Sequence, residues 1–92
     1  MTASGRLFSD AVVAYTGFGV DALPASHPER VAPPSLRAEV IDLFRRIDRL
    51  KPEGGDLSEW ARAQAAALSE GDPRLDERAR RAIVARLTWA WR

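Results

Sequence analysis

The stretch SLRAEVIDLFRRIDRLK, residues 35–51, decides the fold class. Leu36, Val40, Leu43, Phe44, Ile47 and Leu50 recur at three- and four-residue spacing. They make an apolar stripe about a third of a helix circumference wide. Arg37, Asp42, Arg45, Arg46, Asp48 and Arg49 fall largely off that stripe. The spacing predicts an amphipathic helix over 35–51, stopped by Pro52 and the Gly54-Gly55 pair.

A helical hairpin is predicted downstream. Its first helix, 57–70, starts from Asp56 as cap, with Glu59 at the capping-box position. Leu57, Trp60, Ala61, Gln64 and Leu68 share its apolar face, and Gly71 ends it. The second helix, 73–91, is expected to start from Asp72, with Pro73 in the first position, where a missing N–H costs nothing. Asp76 and Glu77 lie near its N-terminus and arginines near its C-terminus, as the macrodipole favours.

At helical spacing this last helix has three surfaces. Leu75, Ala79, Ala82, Ile83, Trp89 and Ala90 form one side, so Trp89 is expected in the core. Val84, Leu87 and Trp91 form a second patch, and Arg74, Arg78, Arg81 and Arg92 a third strip. Arg86 falls on the first, apolar side, where it must snorkel or pair with a carboxylate at the edge. If uncovered in the monomer, Val84, Leu87 and Trp91, with Arg78 and Arg81 beside them, are the expected interface, since Trp and Arg are enriched at binding hot spots.

Upstream, Leu7, Ala11, Ala14, Tyr15 and Phe18 fall at helical spacing after Ser4 as N-cap. The run from Ala11 to Tyr15 would also suit a strand, but a lone strand would have no partner in this chain. A short helix is therefore predicted. Val20 to Pro34 holds Pro24, Pro28, Pro33 and Pro34 and reads as a proline-rich connecting loop. Within it, Ser26 and Glu29 have the spacing of a capping box for one further turn. The expectation is one all-α domain, 1–92: a small bundle of three clear helices (35–51, 57–70, 73–91), a short N-terminal helix and the connecting loop.

Composition narrows the chemistry. With 92 residues and no cysteine, the chain has neither disulfides nor a thiolate nucleophile or metal site. It must hold together by packing around a thin core. Neither a signal-peptide run nor a membrane span is visible, which makes the cytoplasm the expected location. Net charge is +1, with Lys51 the sole lysine. That arginine preference fits codon bias in a GC-rich genome. From Arg78 onward there are five arginines and no acid.

No motif reaches a catalytic or cofactor chemistry. Gly17-Phe18-Gly19-Val20-Asp21-Ala22 matches G-x-G-x-x-A, but Leu23-Pro24 follows where a phosphate-binding helix should start. A helix stop and a turn explain it. His27, the only histidine, has Glu29 nearby but no adjacent nucleophile or oxyanion donor. Acid–arginine pairs such as Asp76–Arg80 and Glu77–Arg81 read as solvated surface pairs. Catalytic, cofactor and metal residues are therefore expected to be none. A pocket joining Tyr15, His27 and Glu29 would reopen the question.

The frame Tyr15-Thr16-Gly17-Phe18-Gly19, a proline-rich link, an amphipathic helix and a terminal Leu87-Thr88-Trp89-Ala90-Trp91-Arg92 resembles a group of uncharacterised small helical proteins from high-GC bacteria. The resemblance implies a helical fold and supplies no activity and no site residues. The expected function is a non-catalytic helical protein–protein interaction module, binding a protein partner or a second copy as a homodimer. The alternative is a weak nucleic-acid-binding domain using Arg74, Arg78 and Arg81. The near-neutral charge disfavours it.

Overall fold

A computed structural model describes the backbone of residues 3–91 and the side chains of residues 6–91. Four helices make the fold: α1 (Ala3–Thr16), α2 (Arg37–Ile47), α3 (Leu57–Gly71) and α4 (Glu77–Ala90). Two single 3-10 turns, Pro28–Arg30 and Pro34–Leu36, punctuate the link between α1 and α2. No strand occurs among the described residues. The α3–α4 hairpin is the most extensive pairing, and α1 packs against both α4 and α2.

The amphipathic stripe of α2 does what its spacing predicts. Val40, Leu43, Phe44 and Ile47 are buried, while Leu36 and Leu50 pack at the core's edge. The helix is shorter than the stripe. It stops at Ile47, and Arg49 and Leu50 turn back onto the Arg46 and Ile47 carbonyls.

The first helix is not short, and its buried face differs from the predicted one. Phe8, Ala11, Val12 and Tyr15 point inward, whereas Leu7 is 47% exposed and Ala14 only partly buried. The helix already includes Ala3, so Ser4 lies within it rather than at its cap. Ser9 explains the rotation. Its fully buried hydroxyl donates to the Arg74 carbonyl and accepts from the Asp76 N–H at 2.9 Å, docking α1 on the turn before α4.

That turn also corrects the start of the last helix. Asp72 closes α3 rather than opening α4, and its carboxylate is held by the Arg74 guanidinium at 2.8 Å through both oxygens. Residues 73–76 form a separate link, and Asp76 takes the N-cap, accepting from the Ala79 N–H at 3.0 Å. Asp56 caps α3 as predicted, accepting from the Glu59 N–H at 2.9 Å.

On α4 the buried arc is centred on Ala79 and Ile83 and takes in Ala82 and Leu87, joined by Leu75 from the link before the helix. Trp89 and Trp91 flank this arc on opposite edges. Trp89 is therefore 41% exposed and not core, and Leu87, at 1%, is core and not surface. Trp91 is half-exposed and donates from Nε1 to the Leu50 carbonyl at 3.1 Å, tying the end of α4 to the end of α2.

Replacing Asp76 with alanine removes the cap and should lower stability by about 1 kcal/mol. For a domain of this size that is a fall in Tm of about 4–8 °C. Thermal unfolding followed by circular dichroism measures it. An unchanged Tm would return the cap to another residue.

Candidate interaction groove

Between Thr16 and Ala25 the chain makes a closed loop. Gly17 ends α1, donating to the Val13 carbonyl at 3.0 Å, with a φ of +73°. A Cβ there would also strike the Asp21 carboxylate at 2.3 Å, so glycine is required twice over. The loop returns where the Ala25 N–H meets the Thr16 carbonyl (3.1 Å) and the His27 N–H meets the Tyr15 carbonyl (2.7 Å). The G-x-G segment is thus a helix stop and turn. The loop leaves Phe18, Val20 and Leu23 exposed.

Three concavities meet at Ala85 of α4. The largest, about 470 Å³, runs between α3 and α4. Ala65 and Ala66 line it from α3, Val84 and Ala85 from α4, and Phe18 from the loop. Its charged rim is Arg62, Arg80 and Arg81 against Glu77. A second, of about 380 Å³, continues toward the end of α4 between Leu23, Leu57, Thr88 and Trp89. The third, about 180 Å³, lies under the loop between Asp21, Leu23, Pro24 and the alanines Ala82 and Ala85. The three adjoin one another through Ala85 and are together called the groove: small side chains line it, Phe18, Leu23 and Trp89 supply apolar surface, and the arginines border its largest part.

Of the sequence-predicted interface, Val84 and Arg81 border this groove. Leu87 is buried in the core and lines none of the concavities, Trp91 lies on the far edge of α4, and Arg78 pairs with Asp10 on α1. Sequence reasoning missed Phe18, Leu23, Ala66, Ala85 and Trp89. The alanines at 65, 66 and 85 were the available signal, but only once α3 and α4 are known to pair.

The arginine strip is charge-paired. Arg74 binds Asp72 and Glu39 and lies 3.9 Å over the Phe8 ring, and these carboxylates raise its pKa further. Arg78 binds Asp10, with Asp76 at 3.8 Å, and Arg81 binds Glu77 at 2.9 Å. Arg92 lies outside the described residues. The predicted Asp76–Arg80 pair does not form; one Asp76 oxygen caps α4 and the other lies 3.8 Å from Arg78. Among the described residues, Arg62 and Arg80 enter no ion pair.

Arg86 fixes the loop wall. Its guanidinium donates through Nε and Nη2 to the two Asp48 oxygens at 2.9 and 3.0 Å, and through Nη1 to the Ala25 carbonyl at 2.9 Å. It lies 5.0 Å over Phe44 and 5.7 Å over Tyr15, which stack on each other at 4.7 Å. The expected edge carboxylate is thus Asp48.

Ser26 and Glu29 form no capping box. The turn Pro28–Arg30 has His27 at its N-cap without a side-chain cap bond, and Glu29 faces the His27 ring instead. Tyr15 is buried, and none of Tyr15, His27 and Glu29 lines the three concavities. Among the described residues no group of acids and histidine is placed to hold a metal, and no helix is long and apolar enough to cross a membrane. No known protein family, curated protein or solved structure matches this chain.

Three carboxyls sit below their ordinary range. Asp21 is lowered first by the His27 hydrogen bond and then by Arg30, and Asp72 first by Arg74. Glu29 is lowered first by its own backbone N–H. A depressed folded-state pKa adds stability that is present above the unfolded value and lost as pH falls through the folded one. Stability at these sites should therefore hold down to about pH 4 and fall below it. Denaturant midpoints across that range should show a shallower acid limb for Asp72→Asn than for the wild type. Arg86→Lys keeps the charge but not the planar fork, and should cost about 2 kcal/mol by the same measurement. A loss under about 0.5 kcal/mol, the scale of an ordinary surface substitution, would deny Arg86 its bridging role.

Proposed function

We propose that this chain is a small non-catalytic helical module that docks an acidic amphipathic helix of another protein in the groove along α4. The observation that carries the reading is the combination at one place of an alanine floor, an exposed apolar wall and an arginine-rich rim. Small floor residues let a helix approach closely. The wall of Phe18, Leu23 and Trp89 gives its apolar face something to cover. This is the helix-in-groove mode of recognition.

Charge selects the occupant. The rim sets three arginines against one glutamate, and Arg62 and Arg80 have no internal partner among the described residues. An acidic helix would supply their counter-charges. A second copy docking symmetrically would bring the same arginines against their own images, a like-charge contact that opposes it. From Glu77 to Trp89 the groove follows α4 for about 18 Å, enough for about three turns of the bound helix.

A helix-stapled peptide of leucines at helical spacing flanked by glutamates tests this. It should shift the amide resonances of Ala66, Val84 and Ala85 with a Kd on the order of 10–100 µM, as suits a small interface. The same peptide with lysines in place of glutamates should bind at least tenfold more weakly, and Ala85→Glu should abolish binding. Equal binding of both peptides, or shifts that avoid the groove, would defeat the proposal. So would concentration-dependent dimerisation in sedimentation that Ala85→Glu removes, since it would assign the groove to a second copy.

A further inference from the structure

The His27 ring lies between two carboxylates. Nε2 is 2.5 Å from Asp21 Oδ2, and Nδ1 is 3.3 Å from Glu29 Oε1. An ionised carboxylate can only accept, so each contact needs an N–H from the ring. A neutral imidazole has one N–H, and the imidazolium has two. Both carboxyls are held toward the ionised form, Asp21 chiefly by His27 and Arg30, and Glu29 by its backbone N–H and then by His27. The protonated ring is therefore the species that completes the arrangement.

The Asp21 contact spans the loop. Asp21 follows the turn that carries Phe18 and lines the cavity beside Ala82 and Ala85, whereas the His27 backbone is itself fastened to α1 where the loop closes. The other charged side chains around the ring are arginines, and the guanidinium does not give up its proton in proteins. Arg30 holds both Asp21 oxygens at 3.2 Å. From α2, Arg37 donates to the Pro28 carbonyl at 2.9 Å, and from α4 Arg86 holds Ala25 and Asp48. From α1, Tyr15 presents a backbone carbonyl. Of these, only an imidazole changes charge between pH 5 and 8.

We propose that the His27 imidazolium is a proton-operated latch that holds the 17–25 loop closed beside α4, and that deprotonation, which leaves the ring one N–H for Asp21 but removes its charge and its Glu29 contact, loosens this wall of the groove. As regulation of docking the proposal rests on the groove reading, but the latch itself can be measured without any ligand.

The experiment is amide hydrogen exchange on the full chain, expressed as protection factors, at pH 5.5 and pH 8. The Ala25 and His27 amides, which close the loop on α1, should lose about two- to fivefold in protection at the higher pH, the scale of one partly exposed charged contact. The Ala65 amide inside α3 should not follow. In His27→Gln, which keeps one donor and cannot gain a proton, loop protection should be low and equal at both values. Asp21→Asn should lower it at pH 5.5 while leaving α3 unchanged. Wild-type protection that ignores pH, or a His27→Gln variant that keeps the pH response, would overturn the latch. A loop that responds as expected, with a stapled peptide that binds nowhere, upholds the latch and retires the docking reading alone.

Discussion

One guanidinium joins four parts of this molecule. Arg86 leaves α4 on the side facing the core, grips Asp48 at the end of α2, caps the Ala25 carbonyl at the loop's exit, and covers the Phe44 and Tyr15 rings from α2 and α1. A thin core cannot supply this by area alone. The planar fork meets a carboxylate with two donors and spares a third for the loop, while its flat face lies on the rings. A lysine could make any one of these contacts but not all together. The relative placement of α2, the loop and α4 follows from that single side chain.

The helices were legible in the sequence wherever one element carried its own signal. The α2 stripe and the Asp56 cap are local patterns; the stripe's centre is buried and the cap forms as read, though the helix itself spans only Arg37–Ile47. What was illegible depended on a second element. The buried face of α1 is rotated because Ser9 must reach the link between α3 and α4. Asp72 could cap α4, but Arg74 captures it and Asp76 takes the role. On α4 a helical projection orders the residues correctly around the axis but cannot say where the buried arc is centred. Packing on α1 and α3 centres it near Ile83, so Leu87 enters the core and both tryptophans are left at its margins.

The candidate site shows the same limit more strongly. Its floor consists of alanines, which on any single helix read as filler, and its wall is a loop that read as a helix stop and a turn. Neither looks like a surface until the hairpin closes and the loop folds beside it. The arginines were visible as a strip, yet the strip does not survive as a unit. Carboxylates from α1, α2 and the turn before α4 take Arg74 and Arg78, and Glu77 takes Arg81. The two arginines of the groove rim without ion-pair partners among the described residues, Arg62 and Arg80, come from two different helices.

Floor and wall are also held by different forces. The floor belongs to the α3–α4 pairing, where buried apolar contact is indifferent to protons. The wall is held by ionic hydrogen bonds: Arg86 to Ala25 on one side, and the Asp21–His27–Arg30 cluster on the other. Gly17 lets Asp21 fold back far enough to reach that cluster. The loop wall can therefore respond to protons that the α3–α4 pairing ignores. A change of charge at His27 should move the loop while the helices stay in place.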